Sequence, residues 1–558
     1  MKNTFPSLSV ILVYLIFLLA PGLSCQVDNV SQNSKVDAIF EKYNSNSGPG
    51  CAVSVIHNGQ VVFTKGYGLA NLEYDIGITP STVFDIASVS KQFTGFAIST
   101  LLQEGKIALD DDIRKYLTDV PDFGKKITIR HLIHHTSGLR AWPQTLNVAG
   151  WRWDEVFSFQ DIMRMVKNQK ELDFDPGTQH MYSNTGYNLL AAIVEKVSGK
   201  SFREWTDENI FAPLNMNSSH FLDDHKMVIK NLAYSYNRPG DEFAKSSTGL
   251  TAYGSSSLFT TVEDLSKWVI NFDKQIAAKN PVYTRMLEDG VLNNGEKVGY
   301  GYGLGFGVEG ELKTVSHTGG WAGYRTVIMN FPDEKFSCII LSNAADFNSY
   351  GSSLDVAKLF LKEKFKAKDK TTDSIKDMPT VTVDTSVAKK ATGMYQLGEG
   401  WYVTITLEDG QLMTQANGED KFQMKSKSDS VYWIDAYDAS MTFVKDKNGD
   451  VNSLRYRWID SAKKVIPLQV DIGEFSNYAG TYYSEELSTE YKVDVMDGKL
   501  MIHHMRLGDF ELQPDPITAD QFTCQMALVR FVKNDQKKLI GFRLSGGRVK
   551  NLRFDKKL

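Results

Sequence analysis

An internal duplication in the last third of the chain constrains the fold more strongly than any other sequence feature. Three short motifs occur twice, with an offset of 87 or 88 residues: Asp409-Gly410 and Asp497-Gly498, Phe443-Val-Lys445 and Phe531-Val-Lys533, Gly393-Met-Tyr395 and Gly480-Thr-Tyr482. A fixed offset between motifs is typical of tandem copies of one structural unit. We therefore predict two repeats, over residues 385–472 and 473–558.

Each repeat has the residue pattern of antiparallel β-structure. Short runs such as Trp401–Leu407 and Glu490–Val495 alternate apolar and polar side chains, and Asp-Gly or Asn-Gly turns separate them. We predict meanders that either close together into one lipocalin-like barrel or pack as two half-barrels. The same repeats contain side chains that either fill the barrel or line a ligand cavity, and we favour filling: His503, His504, Trp401, Trp433, Trp458.

The beginning of the chain resembles a secretory leader. Lys2 precedes an apolar run from Leu8 to Ala20, which ends before Ser24. This run is shorter than the roughly 20 residues of a membrane-spanning helix. We predict a signal peptide over residues 1–24 and export to the periplasm or the extracellular space. Cys25 follows a segment similar to a lipoprotein cleavage site, although a large aliphatic residue is missing before it, so a lipidated membrane anchor at Cys25 is an open alternative.

Length, charge and cysteine content limit the remaining possibilities. A chain of 558 residues is too long for one core, and its net charge of −5 excludes a strongly basic nucleic-acid surface. Three cysteines remain after the leader, and we interpret Cys51, Cys338 and Cys524 as buried hydrophobic residues, with a Cys51–Cys338 bridge as the alternative. Residues 366–384 are rich in lysine, aspartate and threonine and indicate an exposed linker.

Residues 35–365 combine strands at both ends with helices between them. The turn Asn58-Gly59 predicts a hairpin that joins Cys51–His57 to Gln60–Lys65. The later part predicts three strands and a helix: Leu312–His317, Tyr324–Phe331, Lys335–Ser342, Ser353–Phe365. We predict an α+β fold in which both ends build one antiparallel sheet, flanked by helices and interrupted by a helical insert.

One short stretch brings a hydroxyl next to an amine. Apolar residues from Val89 to Leu102 indicate a helix that begins near Ser88, so Ser88 and Lys91 lie three residues apart on one face. A serine becomes nucleophilic when a neighbour accepts its proton, and a lysine in an apolar site has a lowered pKa that favours this role. Ser88 is therefore the candidate nucleophile.

Two further segments carry groups suited to the same chemistry. Tyr182 and Asn184 lie two residues apart in a predicted extended segment, so their side chains point the same way. Glycines follow His317-Thr318 at the end of a strand, and backbone N–H groups of Gly319 and Gly320 can stabilise an oxyanion.

Three histidines form the remaining polar cluster. His131, His134 and His135 have a spacing that places them on one helix face, where they would bind zinc. No further ligand has a familiar spacing, and Gly138 ends the element, so we favour a structural loop and predict no metal.

The motifs Ser88-x-x-Lys91, Tyr182-Ser-Asn184 and His317-Thr-Gly319, in this order, resemble those of the serine β-lactamase and penicillin-binding-protein superfamily. The nearest branch is class C-like and contains β-lactamases, esterases and D-amino-acid peptidases. Further segments look like this branch: Lys65-Gly66-Tyr67-Gly68, Phe84–Ser88, His135–Leu139, Pro176-Gly177. The resemblance spans roughly residues 35 to 365.

The resemblance implies a role for each motif. Ser88 would be acylated, Lys91 and Tyr182 would transfer protons, and Asn184 would contact the substrate amide. His317, Thr318 and Gly319 would bind substrate, and the N–H groups of Ser88 and Gly320 would form the oxyanion hole. Whether Lys91 or Tyr182 accepts the first proton stays open, because a tyrosine with a reference pKa of about 10 needs adjacent cations, here Lys91 with His317 as a second candidate. No cofactor is implied.

His317 departs from the usual pattern of penicillin-recognising enzymes, which have lysine at this position. A histidine with a reference pKa of about 6.5 is largely neutral at pH 7 and holds a substrate carboxylate less firmly. We therefore predict an esterase or a peptidase for small or D-amino-acid substrates, with a small molecule or peptide as the partner and no nucleic acid. The alternatives are a penicillin-binding receptor that is acylated without turnover and a weak β-lactamase.

Overall fold

The computed structural model describes residues 32–246, 249–365, 375–457, 459–469 and 471–557. The predicted signal peptide, Cys25, Trp458 and most of the first half of the predicted linker lie outside these ranges. The chain divides into two compact units. Within the described ranges, unit 1 contains residues 32–139, 153–167 and 174–365, and unit 2 contains residues 140–152, 168–173 and 375–557.

A six-stranded antiparallel sheet forms the centre of unit 1. Its strands, in chain order, are β1 (Cys51–His57), β2 (Gln60–Tyr67), β3 (Gly305–Glu309), β4 (Leu312–Trp321), β5 (Tyr324–Phe331) and β6 (Phe336–Ser342). The spatial order is β3-β4-β5-β6-β1-β2, so β1 from the beginning of the unit pairs with β6 from its end. This pairing confirms the predicted sheet, and the Asn58-Gly59 turn joins β1 to β2 as predicted.

Buried strands at the middle of the sheet explain its stability. The side chains of β6 are all buried, and Val53 and Val55 of β1 pack with Cys338 and Ile340 of β6 in one hydrophobic cluster. Burial of this apolar surface favours folding by about 25 cal/mol for each Å² removed from water. Cys51 and Cys338 are free thiols in this core, as expected for small hydrophobic residues, and Cys51 lies opposite Ser342.

The described residues form five helices of ten or more residues outside the repeats: α1 (Lys91–Gln103), α2 (Phe159–Asn168), α3 (Asn184–Ser198), α4 (Val262–Ala277), α5 (Ser349–Phe360). Helices α4 and α5 pack on the sheet. Shorter helices lie at residues 32–40 and at Ile129–Ile133, Phe202–Thr206 and Pro281–Arg285. Helix α5 begins four residues before the predicted start, because the Asn348 side chain caps it at Gly351 N–H. Within the described ranges, every helix is too short or too polar to cross a bilayer.

Short strand pairs connect the helices of unit 1. They are Leu69–Asn71 with Ile76–Gly77, Val156–Phe157 with Gly249–Leu250, Tyr236–Asn237 with Ala244–Lys245, and the group Phe84–Asp85, Leu258–Thr260 and His220–Phe221. In the last group, Asp85 lies opposite Phe259 immediately before Ser88. This pairing holds the backbone of Phe84 and Asp85, which leads directly to the predicted nucleophile Ser88.

Each repeat of unit 2 builds its own nine-stranded sheet, so the two repeats do not close together into one barrel. The strands of repeat 1 are Gly393–Gly398, Trp401–Glu408, Gln411–Ala416, Lys421–Gln423, Lys425–Ser426, Val431–Ile434, Ala439–Lys445, Val451–Tyr456 and Ile459–Val465, after a helix Thr385–Ala391. The strands of repeat 2 are Gly480–Ser484, Thr489–Met496, Lys499–His504, Gly508–Glu511, Gln513–Pro514, Gln521–Thr523, Leu528–Lys533, Leu539–Gly546 and Val549–Lys556.

Both sheets are nearly closed in the same way. In each repeat the first strand pairs with the last, so the remaining gap lies between two short consecutive strands. One residue separates these strands, Met424 in repeat 1 and Leu512 in repeat 2. Met424 N–H donates to Leu412 O over 2.9 Å, and Leu512 N–H donates to Leu500 O over 2.8 Å. The 88-residue offset of the sequence motifs is thus also an offset of structural positions.

Apolar side chains fill the interior of both repeats. Trp433 is buried, whereas Trp401 is partly exposed. His504 packs against the ring of Tyr491, and His503 lies between Asp494 and Asp509. The apolar clusters fill the described interiors, and neither Trp401 nor Trp433 belongs to the cluster of repeat 1.

Unit 2 includes two segments that the sequence analysis assigned to residues 35–365. Arg140–Arg152, with the helix Trp142–Val148, and Asn168–Asp173 both belong to it. Arg140 is buried and contacts Asp173 over 2.5 Å and Glu486 over 2.7 Å. Tyr491 O–H donates to Val148 O over 2.8 Å. A buried cation needs such partners, so these contacts attach both segments to repeat 2.

Candidate active site

The predicted nucleophile Ser88 lies on a tight turn. Residues Ala87–Ser90 form a 3₁₀ turn that continues into α1. Ala87 has φ +49°, an unfavourable value for a residue with a side chain, and its N–H donates to Asp85 Oδ1 over 2.8 Å. Burial raises the pKa of Asp85 to about 7, although this hydrogen bond acts in the opposite direction. Asp85 therefore holds the strained backbone immediately before Ser88.

Lys91 connects the first two motifs. Its buried Nζ donates to Ser88 Oγ over 3.0 Å, to Asn184 Oδ1 over 2.7 Å and to Ser255 O over 2.7 Å. Gly303 permits the close packing around Lys91, since a Cβ there would lie 2.4 Å from the Lys91 carbonyl carbon. The predicted Ser–Lys pair and Asn184 are thus brought together in one cluster.

Tyr182 is the third member of this cluster. Lys91 Nζ lies 4.9 Å from the centre of its ring, and the His135 ring lies 4.2 Å from it. Tyr182 is outside regular secondary structure, and Ser183 is extended, but Asn184 is the first residue of helix α3 rather than part of an extended segment. Despite this difference, the Tyr182 ring and the Asn184 carboxamide both face Lys91.

The three histidines have separate structural contacts. His131 forms a reciprocal cap with Thr128, and His134 Nδ1 donates to Tyr300 O over 2.9 Å. His135 Nδ1 accepts the Ser183 N–H over 3.1 Å. Burial lowers the pKa of His134 to about 4 and that of His135 well below its usual value, with Lys91 adding to the effect at His135.

These contacts are those of a structural loop that supports the Tyr182 segment. The Met181 N–H also donates to His135 O over 2.9 Å. Among the described residues, no group of three His, Cys, Asp or Glu side chains is arranged to bind a metal ion.

His317 is neutral in this site, and its tautomer follows from its partners. Nδ1 donates to Thr318 O over 2.7 Å, so Nε2 accepts the Tyr300 O–H over 2.9 Å. Burial and nearby Lys91 lower the His317 pKa to about 3. A neutral His317 has no positive charge to attract a substrate carboxylate, which is the physical reason for the weak carboxylate binding predicted at this position. A neutral His317 adds no positive charge beside Tyr182, so Lys91 is the cation that lies next to the Tyr182 ring.

The glycines of the third motif lie where β4 contacts the Ser88 turn. A Cβ on Gly319 would lie 2.2 Å from Ile86 O and 2.2 Å from Thr326 Oγ1. Strand β3 pairs with β4 only as far as Ser316. After Ser316, β3 no longer pairs with β4. The residues predicted to contact the substrate and the oxyanion, His317 to Gly320, lie in this part of β4.

Sequence reasoning missed three residues that hold the cluster: Ser255, Tyr300, and His135 as a partner of Ser183. Ser255 acts through its backbone carbonyl, which no side-chain pattern reveals. The small residues Gly254–Ser257 and the alternation Tyr300-Gly-Tyr302-Gly303 are the only local signals, because such residues permit close backbone approach.

Comparison with known proteins places this geometry in context. The profile of the family described as Beta-lactamase matches residues 36–362. Penicillin-binding protein 4* of Bacillus subtilis (strain 168) is 26% identical over 441 residues, which cover 75% of this chain and 94% of that protein. A D-aminopeptidase of Brucella canis is 28% identical over 334 residues, which cover 59% of this chain and 62% of the aminopeptidase.

A solved structure shares the fold. The octameric penicillin-binding protein homologue from Pyrococcus abyssi aligns with a TM-score of 0.56 at 23% identity, covering 85% of this chain and 98% of that one.

Proposed function

Because the chain belongs to the β-lactamase family, whose related members include serine hydrolases, we propose that it hydrolyses small esters or amides, including D-amino-acid derivatives, through an acyl-enzyme on Ser88. The observation that carries this proposal is the 3.0 Å hydrogen bond between Lys91 Nζ and Ser88 Oγ in a buried site. This hydrogen bond connects the nucleophilic hydroxyl to an amine that takes part in transferring its proton.

The first half of the reaction acylates the enzyme. Ser88 Oγ attacks the substrate carbonyl carbon while its proton passes to the Lys91–Tyr182 pair. The N–H groups of Ser88 and Gly320 would stabilise the oxyanion, and the Asn184 carboxamide nitrogen would donate to the substrate, since its oxygen accepts from Lys91. Collapse of the tetrahedral intermediate breaks the bond to the leaving group, which receives the proton.

The second half releases the acyl group. Water attacks the acyl carbonyl, loses a proton to the same pair, and Ser88 Oγ leaves and is reprotonated. The neutral state of His317 supports esters and amides over β-lactams, because no fixed charge at this position attracts the β-lactam carboxylate. Export is also part of the proposal and rests on the leader pattern at residues 1–24.

The test uses the mature chain with Ser88→Ala, and with Ser218→Ala as a control that removes an exposed hydroxyl. The substrates are p-nitrophenyl butyrate, the D- and L-alanyl p-nitroanilides and a chromogenic cephalosporin, with intact-mass detection of adducts. We expect ester or D-anilide turnover that only Ser88→Ala abolishes. A stable cephalosporin adduct without turnover would favour the receptor alternative, and Ser88-independent turnover would refute the proposal.

A further inference from the structure

A cavity of about 630 Å³ begins at Gly320, the predicted oxyanion residue. Its walls include two indole rings, two cations and one carboxylate: Trp153, Trp321, Arg325, Lys245, Asp154. All of these residues belong to unit 1. The reaction at Ser88 does not by itself assign a role to this cavity.

Arg325 is the cation nearest to the oxyanion residue. It lies directly opposite Gly320 in the pairing of β4 with β5, and a Cβ on Gly320 would lie 3.8 Å from its Nη1. Nη1 donates to Ala322 O over 3.0 Å and to Tyr324 O over 2.7 Å, which fixes the guanidinium at the cavity wall. Among the residues that the structure describes, no carboxylate lies close enough to form an ion pair with Arg325, and the charge of Asp346 acts on it only from a longer distance.

The other charged residues of the cavity already have partners. Lys245 forms an ion pair with Glu73 over 2.7 Å. Asp154, the carboxylate of the cavity wall, likewise interacts with another residue. Arg325 is thus the charged group of this wall that retains capacity for a ligand, and its planar fork suits a carboxylate.

The positions of the proton-transfer groups decide which part of a substrate reaches this cavity. Tyr182 lies near His317, with ring centres 6.1 Å apart, at the end of the β4 segment that precedes Gly319. The leaving group must receive its proton at this end. The cavity opens beyond Gly320, at the opposite end, so the acyl part of the substrate points into it.

The indole rings provide an apolar surface for such a group. Trp153 and Trp321 pack edge to face with ring centres 5.7 Å apart. Trp153 is 47% exposed although it is a large apolar side chain. Partly exposed tryptophans in a concave site are typical of ligand contacts.

From these observations we propose that the cavity binds the acyl part of the substrate and that Arg325 binds a carboxylate carried by that acyl group. The substrate class is therefore half-esters or half-amides of short dicarboxylic acids and acyl groups with an equivalent carboxylate. This inference rests on the proposed acyl-enzyme function of Ser88.

The test compares two substrates that differ only in charge, mono-p-nitrophenyl glutarate and its methyl ester. We expect the anionic ester to have the higher kcat/KM, with a preference that weakens as salt is added. Arg325→Gln should lower kcat/KM for the anionic ester by about tenfold to a hundredfold, the effect of losing a charged hydrogen bond. The methyl ester should change by less than about twofold, and Arg325→Lys should be intermediate because a point charge lacks the fork.

A binding measurement separates this inference from the proposed function. Calorimetric titration of the Ser88→Ala protein with both esters should give tighter binding of the anionic one, and Ser88→Ala/Arg325→Gln should lose that preference. Arg164→Gln, which removes an exposed arginine of α2, is the matched control and should retain it. Equal binding of the two esters, or an unchanged preference without Arg325, would overturn the inference. Selective binding without turnover by the wild type would overturn only the hydrolase proposal.

Discussion

Replacing Gly319 by alanine adds one methyl group where the structure has no space for it. The new Cβ would lie 2.2 Å from the backbone oxygen of Ile86, whereas carbon and oxygen atoms normally approach no closer than about 3.3 Å. Strand β4 must therefore move by about 1 Å away from the turn that carries Ser88. A misplacement of about 1 Å in an active site costs about 10²-fold in rate. We expect Gly319→Ala to lower kcat by about this factor.

The adjacent glycine provides a matched control. A Cβ on Gly320 would meet only the Arg325 side chain, at 3.8 Å and 3.9 Å, which is ordinary van der Waals contact. Gly320→Ala keeps the backbone N–H that would bind the oxyanion. The added methyl group would border the cavity proposed for the acyl group, so a loss should appear in KM, whereas kcat at saturation should stay within about threefold of the wild-type value because the clash with Ile86 is absent.

The assay is hydrolysis of p-nitrophenyl butyrate at saturating concentration, with circular dichroism to establish that each variant is folded. The reasoning predicts a large difference between two identical substitutions at neighbouring positions of one strand. Normal kcat in Gly319→Ala, or equal losses in both variants, would show that the contact of β4 with Ile86 does not position Ser88.

Two further substitutions test the buried charges. Asp85→Asn keeps an acceptor for the Ala87 N–H and removes the titration. Because the Asp85 pKa is raised to about 7, the folded state holds a proton that the unfolded state loses near pH 4. Wild-type stability should therefore fall relative to the variant between about pH 4 and pH 7, by up to about 1.4 kcal/mol per pH unit, and should stop falling above pH 7. The same Tm difference at pH 4, 6 and 8 would contradict this. Glu486→Gln removes one of the two carboxylates that Arg140 contacts, and because Asp173 stays paired with Arg140 it should cost about 1.5–3 kcal/mol in urea unfolding. Glu485→Gln, at an exposed pair with Lys170, should cost at most about 1 kcal/mol, and equal costs would exclude a special role for burial.

Local sequence patterns predicted the elements that depend on local chemistry. Asn58-Gly59 predicted the hairpin because this dipeptide adopts the left-handed conformations of a tight turn, and both residues have positive φ. Ser88 and Lys91 were predicted to meet because three residues on a helical turn bring side chains together. The 88-residue offset predicted two copies of one unit. Equivalent backbone hydrogen bonds in the two copies are separated by the same 88 residues.

Other features depend on partners that are distant in the sequence. Arg140 belongs to unit 2 because it contacts Glu486, 346 residues later, and no periodicity encodes such a pair. The loss of charge at His317 requires its burial and its contact with Tyr300. Ser255 contributes only a carbonyl oxygen to Lys91, and every residue type has one. These contacts became visible only in the folded chain.

The pairing of the first and last strands of each repeat bears on how a repeat is duplicated within a chain. In repeat 1, Met394 lies opposite Val465, so the chain enters and leaves this sheet at neighbouring positions. In repeat 2, Tyr482 lies opposite Lys556 in the same way. A unit with adjacent ends behaves as a cassette, because a copy inserted into the chain or deleted from it leaves the flanking segments almost as close together as before. Duplication of such a cassette lengthens the protein without requiring any other strand to change its partner.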